Sequence, residues 1–213
     1  MDARFIVLEG VEGSGKSTQV RLLAGALARA GQEVVTTFEP GATEAGREIR
    51  QTLLGRPIAL TPLAEMFLFC ADRAQHVHEL IRPALEAGKV VISDRYELST
   101  VVYQGYAGEV GVERAEQLND LATGGLHPDV TVIMDLDPAA GLRRARASEA
   151  PDRMERKTLE FHQRVREGFL RWAERHPDAS LVVDATQAPE EIHRRILARL
   201  GLGSARPRRE EQA

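Results

Sequence analysis

Short apolar runs alternate along the chain with longer segments in which apolar residues recur at helical spacing. The runs lie at 5–8, 33–38, 88–93, 129–135 and 180–184. Their length and their content of Val, Ile and Leu are typical of buried parallel strands. The segments between them predict helices at 18–30, 44–54, 61–87, 112–123, 138–146, 157–176 and 189–200. Strands that alternate with helices predict an α/β fold with a parallel sheet and right-handed crossovers, although the pattern does not give the strand order.

The composition fits a single globular domain. The chain has 213 residues, of which 43% are hydrophobic and 28% charged, and its formal net charge is −4. We expect residues 1–200 to form one domain and the polar, proline-containing segment 201–213 to be disordered. The acidic balance disfavours nucleic acid or a membrane surface as a partner. The single cysteine, Cys70, fits a reducing, cytoplasmic location, and neither a signal peptide nor a run of transmembrane length is predicted.

The segment 10–18 joins the first predicted strand to the first predicted helix. It fits the pattern G-x-x-x-x-G-K-[ST], in which glycines let backbone N–H groups curl around phosphate oxygens. The N-terminus of the following helix adds partial positive charge. Lys16 can reach the β- and γ-phosphates of a nucleotide, and the Ser17 hydroxyl can ligate Mg²⁺. The predicted nucleotide-binding residues are therefore Gly10, Val11, Glu12, Gly13, Ser14, Gly15, Lys16, Ser17 and Thr18.

Charged side chains also follow two other predicted strands. Glu39 lies in the turn after the second strand, and Asp94 and Arg95 come directly after the third. The carboxyl ends of parallel strands form the ligand-binding edge of an open sheet. Asp94 is thus a candidate second Mg²⁺ contact, made directly or through water, and Arg95 is a candidate phosphate clamp. On position alone, Glu39 could equally be a solvated turn residue.

Phe69 and Arg73 stand four residues apart in the long predicted helix, away from its apolar stripe. An aromatic ring beside a guanidinium suits a nucleobase together with a phosphate or carbonyl group. On the spacing alone, however, a phenylalanine of a satellite core and a solvated arginine remain the favoured interpretation.

The segment 147–152 is small, polar and contains a proline, which predicts a loop. Arginines flank it on both sides, with Arg143, Arg144 and Arg146 before it and Arg153 after it. Such a loop is a candidate lid that closes over phosphates, and a solvated basic face is the alternative.

Taken in chain order, these motifs resemble those of the bacterial thymidylate kinase family over about residues 4–200. The most specific of them are the E-P-G-x-T turn and the D-R-Y and Y-Q-G sequences. The whole set comprises Phe5-Ile6-Val7-Leu8-Glu9-Gly10-x-Glu12-Gly13-x-Gly15-Lys16-Ser17-Thr18, Glu39-Pro40-Gly41-x-Thr43, Phe69-x-Ala71-x-Arg73, Asp94-Arg95-Tyr96-x-x-Ser99, Tyr103-Gln104-Gly105 and Asp152-Arg153-x-Glu155.

The resemblance implies a phosphate-loop nucleoside monophosphate kinase whose five-stranded parallel sheet has the order 2-3-1-4-5. It also implies a lid at about residues 147–154 and a homodimer packed helix to helix. The implied reaction transfers the γ-phosphate of ATP to dTMP with Mg²⁺ as cofactor, giving dTDP and ADP on the way to dTTP.

The resemblance also assigns residues to the acceptor nucleotide. Phe69 would stack on thymine, Arg73 would hydrogen-bond the base, and Gln104 would lie near it. Tyr103 would lie under the deoxyribose, where a ribose 2′-OH would not fit.

The remaining acceptor residues surround its phosphate. Arg95 would hold that phosphate, and Ser99 belongs to the same substrate-binding set. Glu12 and Glu39 would lie near the acceptor and its metal or water.

Members of this family differ in whether an additional catalytic arginine comes from the phosphate loop or from the lid. Positions 11–14 hold no arginine, so the resemblance implies that Arg153, with Arg146 as a second candidate, supplies this charge from the lid. Lys16, Arg95 and Arg153 would then be the catalytic residues.

Two features depart from the family pattern. Phe38 precedes the E-P-G-x-T turn where many members have arginine, which reduces the positive charge near the acceptor. Ser148 and Ala150 leave the predicted lid less basic than in some relatives.

Three other functions compete with this interpretation. The nearest is a kinase of the same fold that acts on another nucleoside monophosphate, since base choice depends on few contacts. A nucleotide switch or regulatory ATPase is the second, although the chain has no N-K-x-D motif and does have the arginine-flanked loop. A nucleic-acid-binding protein is disfavoured by the acidic balance and the lack of a basic stripe.

Overall fold

The computed structural model describes residues 4–55, 58–146 and 153–202. Within them, five parallel strands form one sheet with the order β2-β3-β1-β4-β5, as the family resemblance predicts. The strands are β1 (Phe5–Glu9), β2 (Val34–Phe38), β3 (Val90–Asp94), β4 (Val130–Asp135) and β5 (Ser180–Asp184). Four of them begin or end one or two residues away from the predicted limits, which is within the usual uncertainty of strand ends.

Helices cover both faces of the sheet. They are α1 (Lys16–Arg29), α2 (Glu44–Arg50), α3 (Pro62–His76), α4 (Arg82–Glu86), α5 (Glu97–Thr100), α6 (Val112–Thr123), α7 (Pro138–Arg146), α8 (Leu159–Arg175) and α9 (Pro189–Arg199). Ile6, Leu8 and Ile92 belong to a core shared with α1, α8 and α9. Phe5, Val7 and Val91 face the opposite side of the sheet. Because both faces of the central strands are buried, β1, β3 and β4 consist of nearly continuous apolar runs, whereas β2 at the sheet edge is partly exposed.

The predicted helix at 61–87 is one continuous path, but it is not one regular α-helix. A wider π-helical turn, Val77–Ile81, separates α3 from α4, and Pro83 lies at the start of α4. Similar turns, Gln51–Gly55 and Val101–Tyr106, follow α2 and α5. A proline cannot donate an N–H to the preceding helical turn, and a wider turn accommodates that loss. Single π turns are frequent at functional sites, and Val101–Tyr106 includes two of the predicted substrate residues.

The strand register brings three carboxyl ends to the same level. Leu8 of β1 pairs with Asp94 of β3 and with Val132 of β4, and Phe38 of β2 also pairs with Asp94. The phosphate loop, the E-P-G-x-T turn and the D-R-Y segment therefore begin side by side. Separate parts of the sequence meet at this one edge, where ligands bind in open parallel sheets.

Parts of two predicted segments lie outside the described residues. Of the predicted lid at about 147–154, only Arg153 and Met154 are described, and of the predicted tail at 201–213 only Gly201 and Leu202. Among the described residues, no helix combines the length and the apolar composition needed to cross a membrane.

Gly168 marks the closest approach between α8 and the turn Val101–Tyr106. A Cβ added there would lie 2.9 Å from Cδ1 of Tyr106 and 3.0 Å from Cγ1 of Val102. Real Cβ atoms do not approach a neighbour this closely, so a methyl group would push the two segments apart. The absence of a side chain at 168 thus lets α8 support the turn that includes Tyr103.

We expect Gly168→Ala to destabilise the protein by about 1–3 kcal/mol, because the added methyl overpacks this contact. Gly25→Ala is the matched control, since a Cβ at position 25 of α1 would meet only the flexible end of Arg29. That substitution should raise stability by about 0.5–1 kcal/mol through helix propensity. Urea unfolding of both variants measures the difference, and a Gly168→Ala protein as stable as the wild type would contradict the packing argument.

Candidate active site

The loop between β1 and α1 has the conformation that phosphate binding requires. Gly10, Gly13 and Gly15 all have positive φ angles, of 139°, 68° and 90°. A Cβ at Gly13 would lie 2.2 Å from the backbone oxygen of Gly141 at the start of α7, so a larger residue could not replace it here. These glycines let the loop curl tightly and leave its N–H groups available to an anion.

The Lys16 side chain folds back into this loop. Its Nζ donates to the backbone oxygens of Gly10 (3.1 Å) and Val11 (3.0 Å) and lies 3.5 Å from Ser14 Oγ. Burial, followed by repulsion from Arg95, lowers the pKa of Lys16 to about 8. A phosphate placed in the loop would offset this desolvation, so the ammonium group is well placed to attract one.

The two predicted metal ligands lie together at the sheet edge. Ser17 Oγ, in the first turn of α1, donates a 2.8 Å hydrogen bond to Asp94 Oδ2 at the end of β3. One hydroxyl and one carboxylate are hard oxygen ligands, and Mg²⁺ in nucleotide sites usually takes one or two such groups together with phosphate oxygens and water. The residues present therefore fit Mg²⁺, although the described residues contain no group of three side chains that could hold a metal alone.

Arg95 has an unusual backbone conformation. Its φ of 74° lies in the left-handed region, which residues other than glycine seldom adopt. Nη1 donates to Ser99 Oγ (3.2 Å), Nη2 donates to Glu12 Oε1 (3.1 Å), and the guanidinium lies 5.2 Å from the centre of the Tyr103 ring. Such strain persists where the surrounding structure fixes it, and it is concentrated at functional sites.

Glu9, the last residue of β1, has a structural role that was not predicted from the sequence. Its fully buried carboxylate accepts hydrogen bonds from the backbone N–H groups of Tyr96 (2.9 Å) and Ser99 (3.1 Å) and from Ser99 Oγ (2.6 Å). Burial raises the pKa of Glu9, and these donors together with Arg95 partly oppose that rise. An acidic residue at the end of an apolar strand was the signal available in the sequence.

Glu12 connects the phosphate loop to the predicted acceptor residues. Its Oε1 accepts hydrogen bonds from Tyr103 Oη (2.7 Å) and from Arg95 Nη2 (3.1 Å). Burial favours the neutral acid, but His162, Arg95, Lys16 and Tyr103 outweigh it and hold the pKa of Glu12 well below its usual range. Glu12 is therefore a fixed carboxylate rather than a proton donor or acceptor.

Glu39 is buried and doubly paired rather than solvated, so the interpretation as an exposed turn residue is wrong. Arg73 lies 2.8 Å from Oε2, and His76 Nδ1 lies 2.8 Å from Oε1. On the far side of the imidazole, Nε2 is 2.6 Å from the Thr37 hydroxyl. Burial opposes ionisation, but Arg73 and His76 outweigh it and lower the pKa of Glu39. The E-P-G-x-T turn is thereby attached to α3.

Arg73 is also buried, with only 1% of its surface exposed, so a solvated arginine is excluded. Nη1 donates to Thr100 Oγ1 (2.9 Å) and Asn119 Oδ1 (2.5 Å), Nη2 donates to the backbone oxygen of Tyr96 (2.9 Å), and Nε donates to Glu39. With the ion pair from Nη2 to Glu39, all five N–H groups of the guanidinium have partners. A hydrogen bond from Arg73 to a base stays a prediction, and it would have to share one of these donors.

Two adjoining openings lie over this network. A cavity of about 160 Å³ has Phe69, Arg73, Tyr103 and Gln104 in its wall, and a larger groove of about 990 Å³ runs along the phosphate loop past Lys16, Ser17 and Asp94. Both are lined by Glu12, Glu39, Arg50, Arg95 and Glu155. The shared wall means that two ligands could meet there, one in each opening.

Arg50, at the end of α2, is a second residue that the sequence analysis did not assign. Its Nη1 donates to the backbone oxygen of Pro40 (2.7 Å), and its guanidinium lies 5.9 Å from the centre of the Phe38 ring. Arg50 therefore supplies a guanidinium beside Phe38, the position at which many family members have arginine. The signal in the sequence was a basic last turn in the helix that follows the E-P-G-x-T turn.

Arg153 is not among the residues that line either opening. Its Nε donates to the backbone oxygen of Leu53 (2.6 Å), and Nη2 pairs with Glu65 Oε2 (2.5 Å). Glu65 Oε1 also accepts from Gln104 Nε2 at 2.7 Å. Arg144 of α7 does line the groove, and it donates to the backbone oxygen of Ala185. A contact between Arg153 and transferring phosphates therefore stays a prediction.

Comparisons with known proteins agree with this geometry. The sequence model of a family described as thymidylate kinase matches residues 8–196. A thymidylate kinase from Nitratidesulfovibrio vulgaris (strain DP4) is 50% identical over 201 residues, which cover 91% of this chain and 90% of the relative. One from Deinococcus radiodurans is 45% identical over 194 residues, or 91% and 94%. The crystal structure of thymidylate kinase from Ehrlichia chaffeensis matches with a TM-score of 0.78 at 33% identity, covering 93% of this chain and 98% of that one.

Asp72 lies behind the E-P-G-x-T turn and is only partly satisfied. Its Oδ1 accepts a 2.9 Å hydrogen bond from the backbone N–H of Gly41, but Oδ2 is buried and has no hydrogen-bond partner within the part of the chain that the structure describes. Burial, with repulsion from Glu39 as the next contribution, raises the pKa of Asp72 to about 6. The folded protein therefore holds a proton on Asp72 more strongly than the unfolded chain does.

This shift predicts a pH-dependent effect of Asp72→Asn. A raised carboxyl pKa stabilises the fold fully below the unfolded value near 4, and this stabilisation is lost as the pH rises through about 6. Asparagine stays neutral and can still accept from Gly41. The variant should match the wild type near pH 4 and exceed it by roughly 1–2 kcal/mol at pH 7.5. Urea unfolding across this range tests it, and a pH-independent difference would disprove it.

Proposed function

Because this chain belongs to the thymidylate kinase family, we propose that its site transfers the γ-phosphate of ATP to dTMP, giving dTDP and ADP. The observation that supports this best is the pair of adjoining openings with a common wall. A donor in the groove and an acceptor in the cavity would bring their phosphates together beside Glu12, Glu39 and Arg95.

The donor half of the site is the phosphate loop. We assign the ATP phosphates to the loop N–H groups, the N-terminus of α1 and Lys16. Ser17 and Asp94 would hold Mg²⁺, which supplies positive charge that neutralises the phosphate oxygens. Ser17 donates a hydrogen bond to Asp94, so both oxygen ligands lie on the same side of the groove.

The acceptor half is the smaller cavity. Its half-buried Phe69 ring offers a stacking surface for thymine, and Gln104, held by Glu65, offers an amide beside it. Arg95, with Ser99 bound to it, and Arg50 would flank the acceptor phosphate. Tyr103, fixed through its hydroxyl to Glu12, would close the space next to the sugar. A deoxyribose would then be preferred over a ribose.

The chemistry needs charge and alignment more than proton transfer. Phosphoryl transfer passes through a loose, in-line transition state, so the protein's main tasks are to align the two nucleotides and to spread positive charge over them. Lys16, Arg95 and a lid arginine are the residues proposed for this. A general base is not required, and Glu39 is a weak one because Arg73 and His76 stabilise its ionised form.

We also propose that the chain acts as a homodimer through α3 and α6. Both helices expose large apolar side chains: Leu63 and Phe67 on α3, at 41% and 52%, and Leu121 on α6, at 81%. Exposed apolar side chains on neighbouring helices are typical of a protein interface. The mass of the protein in sedimentation equilibrium checks this, and a monomer at micromolar concentration would oppose it. A cytoplasmic location stays a prediction.

An ADP-release assay with ATP, Mg²⁺ and each monophosphate in turn tests the proposed reaction. The acceptors are dTMP, dUMP, UMP, dCMP, CMP, AMP and GMP. We expect strong turnover with dTMP, weaker turnover with dUMP, which lacks the thymine methyl, and almost none with UMP, which has the 2′-OH.

The other outcomes separate the competing functions. Turnover with a different monophosphate alone would keep the kinase and exclude dTMP as its acceptor. ADP release that is independent of every acceptor would instead support an ATPase switch.

Arg153→Ala should lower kcat by at least about 100-fold and change the KM values much less, because a lid arginine acts on charge that develops in the transition state. Glu65→Gln is the matched control, since it removes the ion pair seen here but keeps the guanidinium and an oxygen for Gln104. This control should change kcat only slightly. Steady-state kinetics of both variants test this prediction. Equal decreases in kcat would mean that Arg153 acts only by holding Glu65 in place.

A further inference from the structure

His162 is a fully buried imidazole that the proposed reaction does not use. It lies in the first turn of α8, with none of its surface exposed. Among the described residues, neither ring nitrogen has a partner with hydrogen-bond geometry. A charged atom, Glu12 Oε2, lies 3.4 Å from Nδ1.

That carboxylate oxygen is in the same situation. Oε2 of Glu12 is buried and has no hydrogen-bond partner among the described residues, whereas Oε1 accepts two hydrogen bonds. A buried polar atom without a partner costs free energy, and the cost is larger when the group is charged. One arrangement satisfies both atoms: a proton on Nδ1 of His162 directed at Oε2 of Glu12.

We propose that His162 is a positioning residue whose Nδ1–H holds the Glu12 carboxylate and, through it, orients Tyr103 and Arg95 for the acceptor nucleotide. The proposal rests on the proposed function, because it deepens the account of the acceptor site. His162 itself touches neither opening, so it acts only through Glu12.

The contacts of Tyr103 show why Glu12 decides the acceptor geometry. The Tyr103 ring is surrounded by Phe161 and Phe169, with centroids 6.2 and 6.1 Å away, but these contacts do not orient its hydroxyl. The hydroxyl donates to Glu12. The same Glu12 oxygen accepts from Arg95. A rotation of the carboxylate would therefore break its hydrogen bonds to Tyr103 and Arg95 at the same time.

The position of His162 in the chain gives this contact a further consequence. α8 begins just after the segment that contains Arg153, and its N-cap is Thr158, whose hydroxyl oxygen accepts a hydrogen bond from the Phe161 N–H. The His162–Glu12 contact therefore joins the start of α8 to the phosphate loop. Donor loop, acceptor residues and α8 share one hydrogen-bonded unit centred on Glu12.

Two substitutions separate the hydrogen bond from simple filling of space. Asn places an amide N–H near the position of Nδ1, whereas Leu fills a similar volume and has no donor. His162→Leu should lower kcat/KM for dTMP roughly 10- to 100-fold, the usual effect of losing a hydrogen bond to a charged group. It should leave KM for ATP within about twofold and reduce the ratio of dUMP to UMP turnover. His162→Asn should restore most of both losses.

His193→Leu serves as the matched control. His193 of α9 is half-buried, and its Nδ1 is likewise buried without a hydrogen-bond partner in residues 4–55, 58–146 and 153–202, but it lies outside both openings. Its substitution should leave the dUMP-to-UMP ratio unchanged. An unchanged ratio in His162→Leu as well, or a loss for ATP and dTMP in proportion to lost stability, would overturn the proposal.

The imidazole ¹⁵N NMR spectrum of the wild-type protein decides the hydrogen bond without any substrate. The signal that disappears in His162→Leu should show a protonated Nδ1, and an unprotonated Nδ1 would overturn the proposal whatever the acceptor is. Failure of the wild type to phosphorylate dTMP would contradict the proposed function instead, and the spectrum would still decide the role of His162.

Discussion

The structure depends on the compensation of charges that are buried at the carboxyl edge of the sheet. Glu9, Glu12 and Glu39 are three carboxylates that the fold removes from water, and each would be costly alone. Each has acquired its own partners: backbone N–H groups for Glu9, Arg95 and Tyr103 for Glu12, and an arginine with a histidine for Glu39. Since removal of one partner would leave another charge uncompensated, the edge is rigid as a unit.

This rigidity is what phosphoryl transfer demands of a protein. Groups that already point at the developing charge need not reorganise during the reaction, and this is worth more than any single contact. The left-handed backbone of Arg95 illustrates the cost, because a non-glycine residue is held in a disfavoured conformation. Its N–H is bonded to the backbone oxygen of Leu8, and its side chain to Glu12 and Ser99, so the strain is opposed from both ends.

Local signals predicted the strands, most helices and the phosphate loop, because each is encoded by neighbouring residues. Periodicity alone does not distinguish the possible strand orders, so the predicted order came from the family resemblance. The structure confirms that order. The π turns were not predicted: one of them precedes Pro83, and another, Val101–Tyr106, packs closely against α8 at Gly168, a contact that the local sequence does not reveal. Glu9 and His162 were not singled out because each contacts a residue from a distant part of the chain. Arg50 was missed because spacing alone does not show that its side chain returns to Pro40 and Phe38.

Arg73 shows most clearly why pattern alone was insufficient. Its helical spacing with Phe69 indicated a shared face, but spacing cannot reveal that Thr100, Asn119 and Glu39 surround its guanidinium. These partners come from α5, α6 and the turn after β2, so a single buried arginine joins three elements on the acceptor side. Because α5 and the turn after β2 line the smaller cavity, the site proposed for the acceptor, a ligand that binds there would also stabilise the fold by mass action. The buried network around Arg73 thus contributes both to the stability of this edge and to the shape of the proposed acceptor site.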